Sequence, residues 1–426
     1  MKKTLIFMIS LCLVGTALAD KRPMTTDDAL NMVNVGNALI SPDGNWVFFS
    51  KSKLNWEKNK RDTKYYMIST SGGEAFQYIG EAGGSSFEFS PDGKFLSLKR
   101  AVEKKSQIFL MPTSGGEAVQ LTEHKESVGS YLWAPDGTKI YFTADKAFSK
   151  EEEKKIKDGE DIIFVDEAPN GQNSGRWRHL FVCDIKSKKI TPLLEEDLLI
   201  GGFDVSPDGG RILYTSRTSN RRNDGYLSEI WLFNTDDKTK IRLTENKAPE
   251  GTPVWAPDGK RFAYSAADDK EWLNRNGKIW VMDLETKKHR LVSGKFEGGI
   301  RGITWSQDGK VIYYNGQQGT NTNLFSMDVE TGDFKKLTDV DGSIRVYGFS
   351  KDRSRMVYDF CDYTTPSDIY SSSVTDFKPV RLTDANLWLQ TEILLADMKI
   401  VRWKSKNDFE IEGLLHLPAG REQGRR

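Results

Sequence analysis

Short apolar runs separated by polar turns recur along most of this chain. In Gly202-Phe203-Asp204-Val205-Ser206 and again in Arg211-Ile212-Leu213-Tyr214-Thr215, apolar side chains fall at every second position or run without a break. That is the pattern of strands packed between two neighbours. Between such runs lies the turn SPDG or a close variant, at Ser41–Gly44, Ser90–Gly93, Ala134–Gly137, Ser206–Gly209, Ala256–Gly259 and Ser306–Gly309, with a degenerate SKDR at Ser350–Arg353. Proline pre-sets φ for a type I turn, Asp or Ser bonds back to the local backbone, and Gly accepts the left-handed conformation from which the next strand starts. From turn Asp to turn Asp the steps are 49, 44, 72, 50, 50 and 44 residues. A four-stranded propeller blade uses about 40 to 50 residues, so the period predicts seven blades.

A second repeat follows each turn. Its copies begin at residues 65, 108, 180, 230, 279, 324 and 369, reading for example IFLMPTSGGEAVQLT (108–122), IWLFNTDDKTKIRLT (230–244) and LFSMDVETGDFKKLT (324–338). Two apolar runs flank a reversal rich in Gly, Asp or Lys, which predicts the outer hairpin of a blade. Trp133, Trp255 and Trp305 stand just before turns, at the position that Phe89 also holds, with Phe203 close to its own turn. Equivalent repetition predicts packing between blades and not a ligand cage.

The ends of the chain carry different signals. Lys2 and Lys3 precede an apolar run from Leu5 to Val14, and Ala17-Leu18-Ala19 is a small-x-small cleavage site. These features predict a secretory leader, residues 1–19, and a periplasmic or extracellular chain. Cys12 with Leu11 before it does not suit a lipid-anchor cysteine. No stretch approaches 18 apolar residues, so no membrane span is expected. Residues 20–35 predict a short capped helix at Met24–Leu30. Cys183 and Cys361, the two cysteines beyond the leader, fall in different blades and predict buried thiols without a disulfide framework. With 61 basic and 61 acidic residues, the formal charge is zero, which removes the electrostatic case for nucleic acid or an anionic membrane as partner.

Blade three departs from the period. About two dozen extra residues within 145–178 predict a short helix over Ser149–Lys157, a strand at Asp161–Val165 and a loop at Ala168–Gly175. Long excursions from a rigid scaffold often carry function. Glu151, Glu152 and Glu153 are therefore candidate ligands for a peptide amino terminus, against the plainer reading of a solvated helix face with Glu and Lys in register.

At the far end the sequence runs Leu382-Thr383-Asp384-Ala385-Asn386, then Val401-Arg402-Trp403-Lys404-Ser405-Lys406-Asn407-Asp408-Phe409-Glu410-Ile411-Glu412-Gly413-Leu414-Leu415-His416-Leu417-Pro418. With the seven turns, the paired IWxxD and LT strands and RWRHLFVCDI (176–185), this exit segment resembles the amino-terminal portion of a prolyl oligopeptidase-family serine peptidase. The likeness is greatest to the acylaminoacyl-peptidase and dipeptidyl-peptidase-like branches. The resemblance implies an all-β seven-bladed β-propeller over 36–383 that gates access of short peptides. It further implies a linker and the first strand of a truncated α/β-hydrolase domain over 384–426, with nothing in this chain for that strand to pair with. A stand-alone TolB-like propeller that binds a peptide or protein is the alternative.

The chemistry that the resemblance would need has no candidate residues here. No G-x-S-x-G elbow occurs, and His124, His179, His289 and His416 sit in strand or turn contexts without a serine and carboxylate to form a triad. No Cys and His spacing suits zinc, and no glycine pattern suits a nucleotide. Asp236-Asp237 and Asp268-Asp269 lack EF-hand spacing, so no calcium site is assigned. The expectation is a chain without catalytic residues, cofactor or metal of its own, with peptides and a hydrolase domain as partners.

Overall fold

The computed structural model describes residues 21–159, 176–220, 222–245, 248–268 and 272–419. The leader with its cleavage site, the expected strand Asp161–Val165, the loop Ala168–Gly175, Asp269 and the tail 420–426 lie outside them.

Among the described residues the chain is mostly strand, set out as consecutive four-stranded antiparallel units. The first is β1 (Asn34–Ile40), β2 (Trp46–Asn55), β3 (Lys60–Ser69) and β4 (Phe76–Ile79). The second is β5 (Ser85–Phe89), β6 (Phe95–Val102), β7 (Lys105–Pro112) and β8 (Val119–Gln120). The third is β9 (Val128–Trp133), β10 (Lys139–Asp145), β11 (Arg178–Asp184) and β12 (Ile190–Leu194). The fourth is β13 (Leu199–Val205), β14 (Arg211–Arg217), β15 (Glu229–Asn234) and β16 (Lys240–Arg242). The fifth is β17 (Val254–Trp255), β18 (Arg261–Ala266), β19 (Lys278–Asp283) and β20 (Lys288–Leu291). The sixth is β21 (Gly299–Trp305), β22 (Val311–Gln318), β23 (Asn321–Asp328) and β24 (Phe334–Lys336). The seventh is β25 (Ser343–Phe349), β26 (Arg355–Cys361), β27 (Asp368–Ser373) and β28 (Val380–Arg381). Single parallel pairings, Arg178 with Leu199 and Thr322 with Ser343, join units three to four and six to seven.

The second strand of each unit explains the continuous apolar runs. Ile140 and Phe142 face unit two while Tyr141 between them faces unit four. Ile212 and Tyr214 face unit three while Leu213 faces unit five. A strand with both faces covered has no polar side, so alternation disappears from its sequence. Seven apolar clusters result, each spanning one pair of neighbouring units. One of them joins Val47, Phe49 and Ile68 of unit one to Val357, Ile369 and Leu382 of unit seven, so the packing order is cyclic.

That seam has no strand ladder among the described residues. It is bridged instead by isolated hydrogen bonds: Lys351 N–H to the Pro42 carbonyl at 2.9 Å and the Ser371 hydroxyl to the Thr70 carbonyl at 2.5 Å. Beside it the buried Asn386 amide clasps Val33, accepting from its N–H at 2.9 Å and donating to its carbonyl at 2.8 Å. Arg22 adds two backbone bonds there, its N–H to the Glu392 carbonyl at 3.0 Å and its carbonyl from the Leu394 N–H at 2.8 Å.

Two repeated staples account for the sequence signatures. In the turn, the Ser90 hydroxyl donates to Asp92 Oδ1 at 2.7 Å and accepts the Phe95 N–H at 2.9 Å, while Lys94 N–H also reaches Asp92. The same set recurs at Ser41, Ser206, Ser306 and Ser350. Gly93 has φ +72°, and a Cβ there would meet Pro42 of the preceding turn; in the degenerate turn Arg353 takes the left-handed position at φ +61°. In the LT motif, threonine hydroxyls tie the chain just after the fourth strand to the third, Thr122 accepting from Ile108 N–H and Thr244 from Ile230 N–H. Thr338 and Thr383 accept likewise from Leu324 and Ile369.

One element is added and one expectation changes. The helices expected at Met24–Leu30 and Ser149–Lys157 are present as α1 (Thr26–Asn31) and α2 (Lys150–Lys157), and α3 (Trp388–Glu392) is a third that the sequence did not announce. The exit segment, expected as a strand without a partner, folds back on itself as β29 (Asp397–Lys404) and β30 (Glu410–Leu417), paired along their whole length. The reversal at Ser405–Phe409 allows this, because Asp408 adopts φ +62° and its N–H returns to the Ser405 carbonyl.

Phe49 is fully buried at the seam. Phe49→Ala is expected to lower stability by about 3–5 kcal/mol in urea unfolding, whereas Phe409→Ala, 70% exposed, should change it little; equal effects would show that the seam does not hold the ring.

The Ser90 hydroxyl, with the Lys94 N–H, lowers the Asp92 carboxyl to about 2. A lowered carboxyl stabilises the fold above its unfolded value near 4, and that contribution disappears as pH falls through 2. Asp92→Asn should therefore flatten the loss of thermal stability between about pH 4 and 2; an unchanged acid slope would refute the turn's role.

Candidate substrate-facing surface

The two ends of the units differ. One end carries the staple turns between first and second strands. The other carries the connections between second and third strands, and every larger excursion falls there. In unit one that connection supports α1: Trp56 Nε1 donates to Asn31 at 2.9 Å and the Arg61 guanidinium donates to the Leu30 and Met32 carbonyls. In unit three it holds α2, and in units four and five it holds the 3-10 turns Arg222–Leu227 and Trp272–Asn274. On unit six it receives the hairpin, where Thr320 N–H and hydroxyl both donate to Glu412 Oε1 at 2.9 Å. These bonds, with Arg402, hold the Glu412 carboxyl below the ordinary range.

Glu151, Glu152 and Glu153 lie on the first turn of α2 at this elaborated end, and all three are exposed. Ser149 N–H donates to Glu152 Oε2 at 2.7 Å and its hydroxyl accepts the Glu152 N–H, a reciprocal cap. That backbone donation lowers the Glu152 carboxyl. Glu151 pairs with Lys155 at 3.2 Å. Two of the three carboxylates are thus engaged in the helix itself.

The histidines are dispersed. His124 Nδ1 meets the backbone of Glu126, and His289 Nδ1 meets the Tyr264 hydroxyl at 2.9 Å. Burial lowers the His179 and His289 rings. His416 on β30 lines a cavity of about 490 Å³ between the hairpin and units six and seven, with Met398, Ile400 and Leu414. Cys183 and Cys361 are free; burial raises their thiols, Cys183 to about 11. Among the described residues no group of three or more His, Cys, Asp or Glu is arranged to hold a metal, and no helix is long and apolar enough to cross a membrane.

Sequence reasoning missed the titratable residues facing the axis. First strands touch the first strands of neighbouring units, while fourth strands such as β16 and β24 are short and exposed, so the first strands are innermost. Two residues before the turn stand Leu39, Glu88, Leu132, Asp204, Val254, Thr304 and Gly348, all half-buried. The Glu88 carboxylate accepts the Trp133 N–H of the next unit, and Asp204 Oδ2 accepts the Trp255 N–H at 2.8 Å. Trp255 Nε1 donates back to the Asp204 carbonyl and Trp305 Nε1 to that of Val254. The tryptophans therefore stitch unit to unit, as their repetition implied. Burial, with the Asp204 charge adding to it, raises the Glu88 carboxyl to about 8, and burial raises that of Asp204 to about 6. The signal available in the sequence was an acid at a repeat position otherwise held mainly by Leu, Val or Thr.

Comparison with known proteins agrees with this architecture. The sequence profile described as "Prolyl oligopeptidase, N-terminal beta-propeller domain" matches residues 195–346. The chain is 22% identical to an uncharacterized peptidase, YuxL, of Bacillus subtilis over 94% of its length, and 23% identical to a dipeptidyl-peptidase 5 of Porphyromonas gingivalis over 87%. It spans 64% and 58% of those two relatives. Among solved structures, an acylaminoacyl peptidase bound to Z-Gly-Gly-Phe-chloromethyl ketone superposes with a TM-score of 0.70 at 19% identity, covering 93% of this chain and 60% of that one. The β-propeller domain of the Trilobed protease from Pyrococcus furiosus superposes with a TM-score of 0.58 at 15% identity, covering 83% of this chain and 99% of the other.

A raised carboxyl stabilises the fold fully below its unfolded value near 4.3, and the contribution is lost as pH rises through the folded value. Melting temperature should accordingly fall between about pH 5 and 8, and Glu88→Gln should flatten that fall. A variant that keeps the wild-type slope would show that Glu88 is not the group responsible.

Proposed function

We propose that this chain, which carries the amino-terminal propeller portion of the prolyl oligopeptidase family, serves as the substrate-gating part of an exported serine peptidase acting on short peptides. In this reading the seven units are the blades of one ring, closed by side-chain packing and not by a shared strand. The leader at residues 1–19 directs export. The elaborated end is the side that meets the hydrolase domain.

One observation carries the reading: the β29–β30 hairpin. A two-stranded hairpin is at best marginally stable alone, and each of its strands keeps an unpaired edge. This one is fixed to unit six by Glu412, yet Ile400, Trp403, Phe409, Ile411, Leu414 and Leu415 remain exposed. Exposed apolar side chains on an open-edged pair suit the beginning of a larger sheet. A propeller dedicated to binding alone has no use for such a projection. Within this reading the ring limits what reaches the catalytic groups, and those groups belong to the hydrolase domain.

Sequencing the native reading frame through Arg426 and beyond tests the reading. The expected result is a continuing strand, then G-x-S-x-G, with Asp and His following in that order. A frame that continues without this series overturns it.

A further inference from the structure

At the elaborated end, between units six and seven, lies a cavity of about 610 Å³ whose charged lining is predominantly basic. Arg301 and Arg345 stand near the starts of the neighbouring inner strands β21 and β25, each just before a register shift, between Arg301 and Thr304 in one and between Val346 and Gly348 in the other. Such bulges re-aim the side chains beside them. The cavity's one acid, Asp359, is largely buried and is neutralised by Arg345, whose guanidinium also donates to the Tyr347 hydroxyl at 2.5 Å. Arg345 is thereby fixed in orientation while its side chain stays 64% exposed. Arg301 is exposed and has no carboxylate within ion-pair reach among the described residues. Asn315 faces Arg301 across the ladder. Its side-chain Oδ1 accepts the Val346 N–H at 3.1 Å, which leaves the side-chain Nδ2 as a donor on the same wall.

We propose that this cavity binds the terminal carboxylate of a peptide, with Arg301 and Arg345 as its cationic donors. Two guanidiniums against one carboxylate leave a net positive charge, and guanidinium geometry matches a carboxylate in two-point contact. The neighbouring cavity beneath the hairpin shares Ser343 and Cys361 with this one and is lined by Met398, Ile400 and Leu414. An apolar last residue suits that neighbour. This assignment rests on the reading of the chain as a peptide-handling propeller.

The test uses the whole 426-residue chain at low salt, titrated calorimetrically with Ala-Ala-Leu as the free acid, with its carboxyl-terminal amide and with inorganic phosphate. The free acid is expected to bind about tenfold tighter than the amide or more, as loss of a charge-assisted contact implies. Arg301→Gln should remove that preference without changing the melting temperature. Arg345→Lys, which keeps a cation beside Asp359, should weaken it. Equal binding of acid and amide overturns the site while leaving peptide handling intact. Phosphate that binds as tightly as the peptide acid and competes with it makes this a small-anion site and overturns the peptide assignment. Failure of acid, amide and phosphate alike overturns both the site and peptide handling at this end.

Discussion

No four-stranded unit of this protein can bury its own apolar surface. The second strand of a unit is apolar on both faces, so each sheet needs a neighbour on either side, and a linear row would leave two faces bare. Cyclic order removes both at once. The cluster of Val47, Phe49 and Ile68 with Val357, Ile369 and Leu382 does for the ends of the row what the other six clusters do within it. The remaining structure follows from that requirement. Inner strands converge on an axis, turns gather at one end, and the tryptophans before those turns reach across to the preceding unit.

The ends of the ring then acquire different freedoms. At the turn end serine, proline, aspartate and glycine each have a fixed task, and proline of one turn lies against glycine of the next, as Pro207 does with Gly259. An insertion there would disturb two units. Connections between second and third strands carry no such repeated obligation. They range from Glu103-Lys104 in unit two to the whole of 146–177 in unit three, and α2 and the 3-10 turns Arg222–Leu227 and Trp272–Asn274 fall within them.

Much of this was legible in the sequence because the repeats are local. The turn and the LT motif are hydrogen-bonded over a few residues or within one hairpin, so their letters recur with their geometry. What the sequence concealed depends on residues far apart. The partner of Val401–Leu417 could not be read, because a strand's edge says nothing of what it pairs with; the tolerance of Asp408 for a left-handed backbone decided it. Glu88 looks like any polar strand residue until the ring places it on the axis beside Asp204. Glu151 to Glu153 illustrate the converse: their pattern was conspicuous, yet the helix cap and Lys155 already occupy two of them. The basic cavity was invisible for the same reason as Glu88, since Arg301 and Arg345 are 44 positions apart in number and neighbours only across two units.

The Asn386 clasp has a mechanical consequence. One side chain grips the backbone of Val33 at both its N–H and its carbonyl, and Arg22 bonds Glu392 and Leu394 next to it, so the chain enters and leaves the ring at a single place. The segment at Arg22 and the one that leads to the β29–β30 hairpin are thereby laid side by side. Because one side chain holds both, losing it would loosen the entry and the exit together.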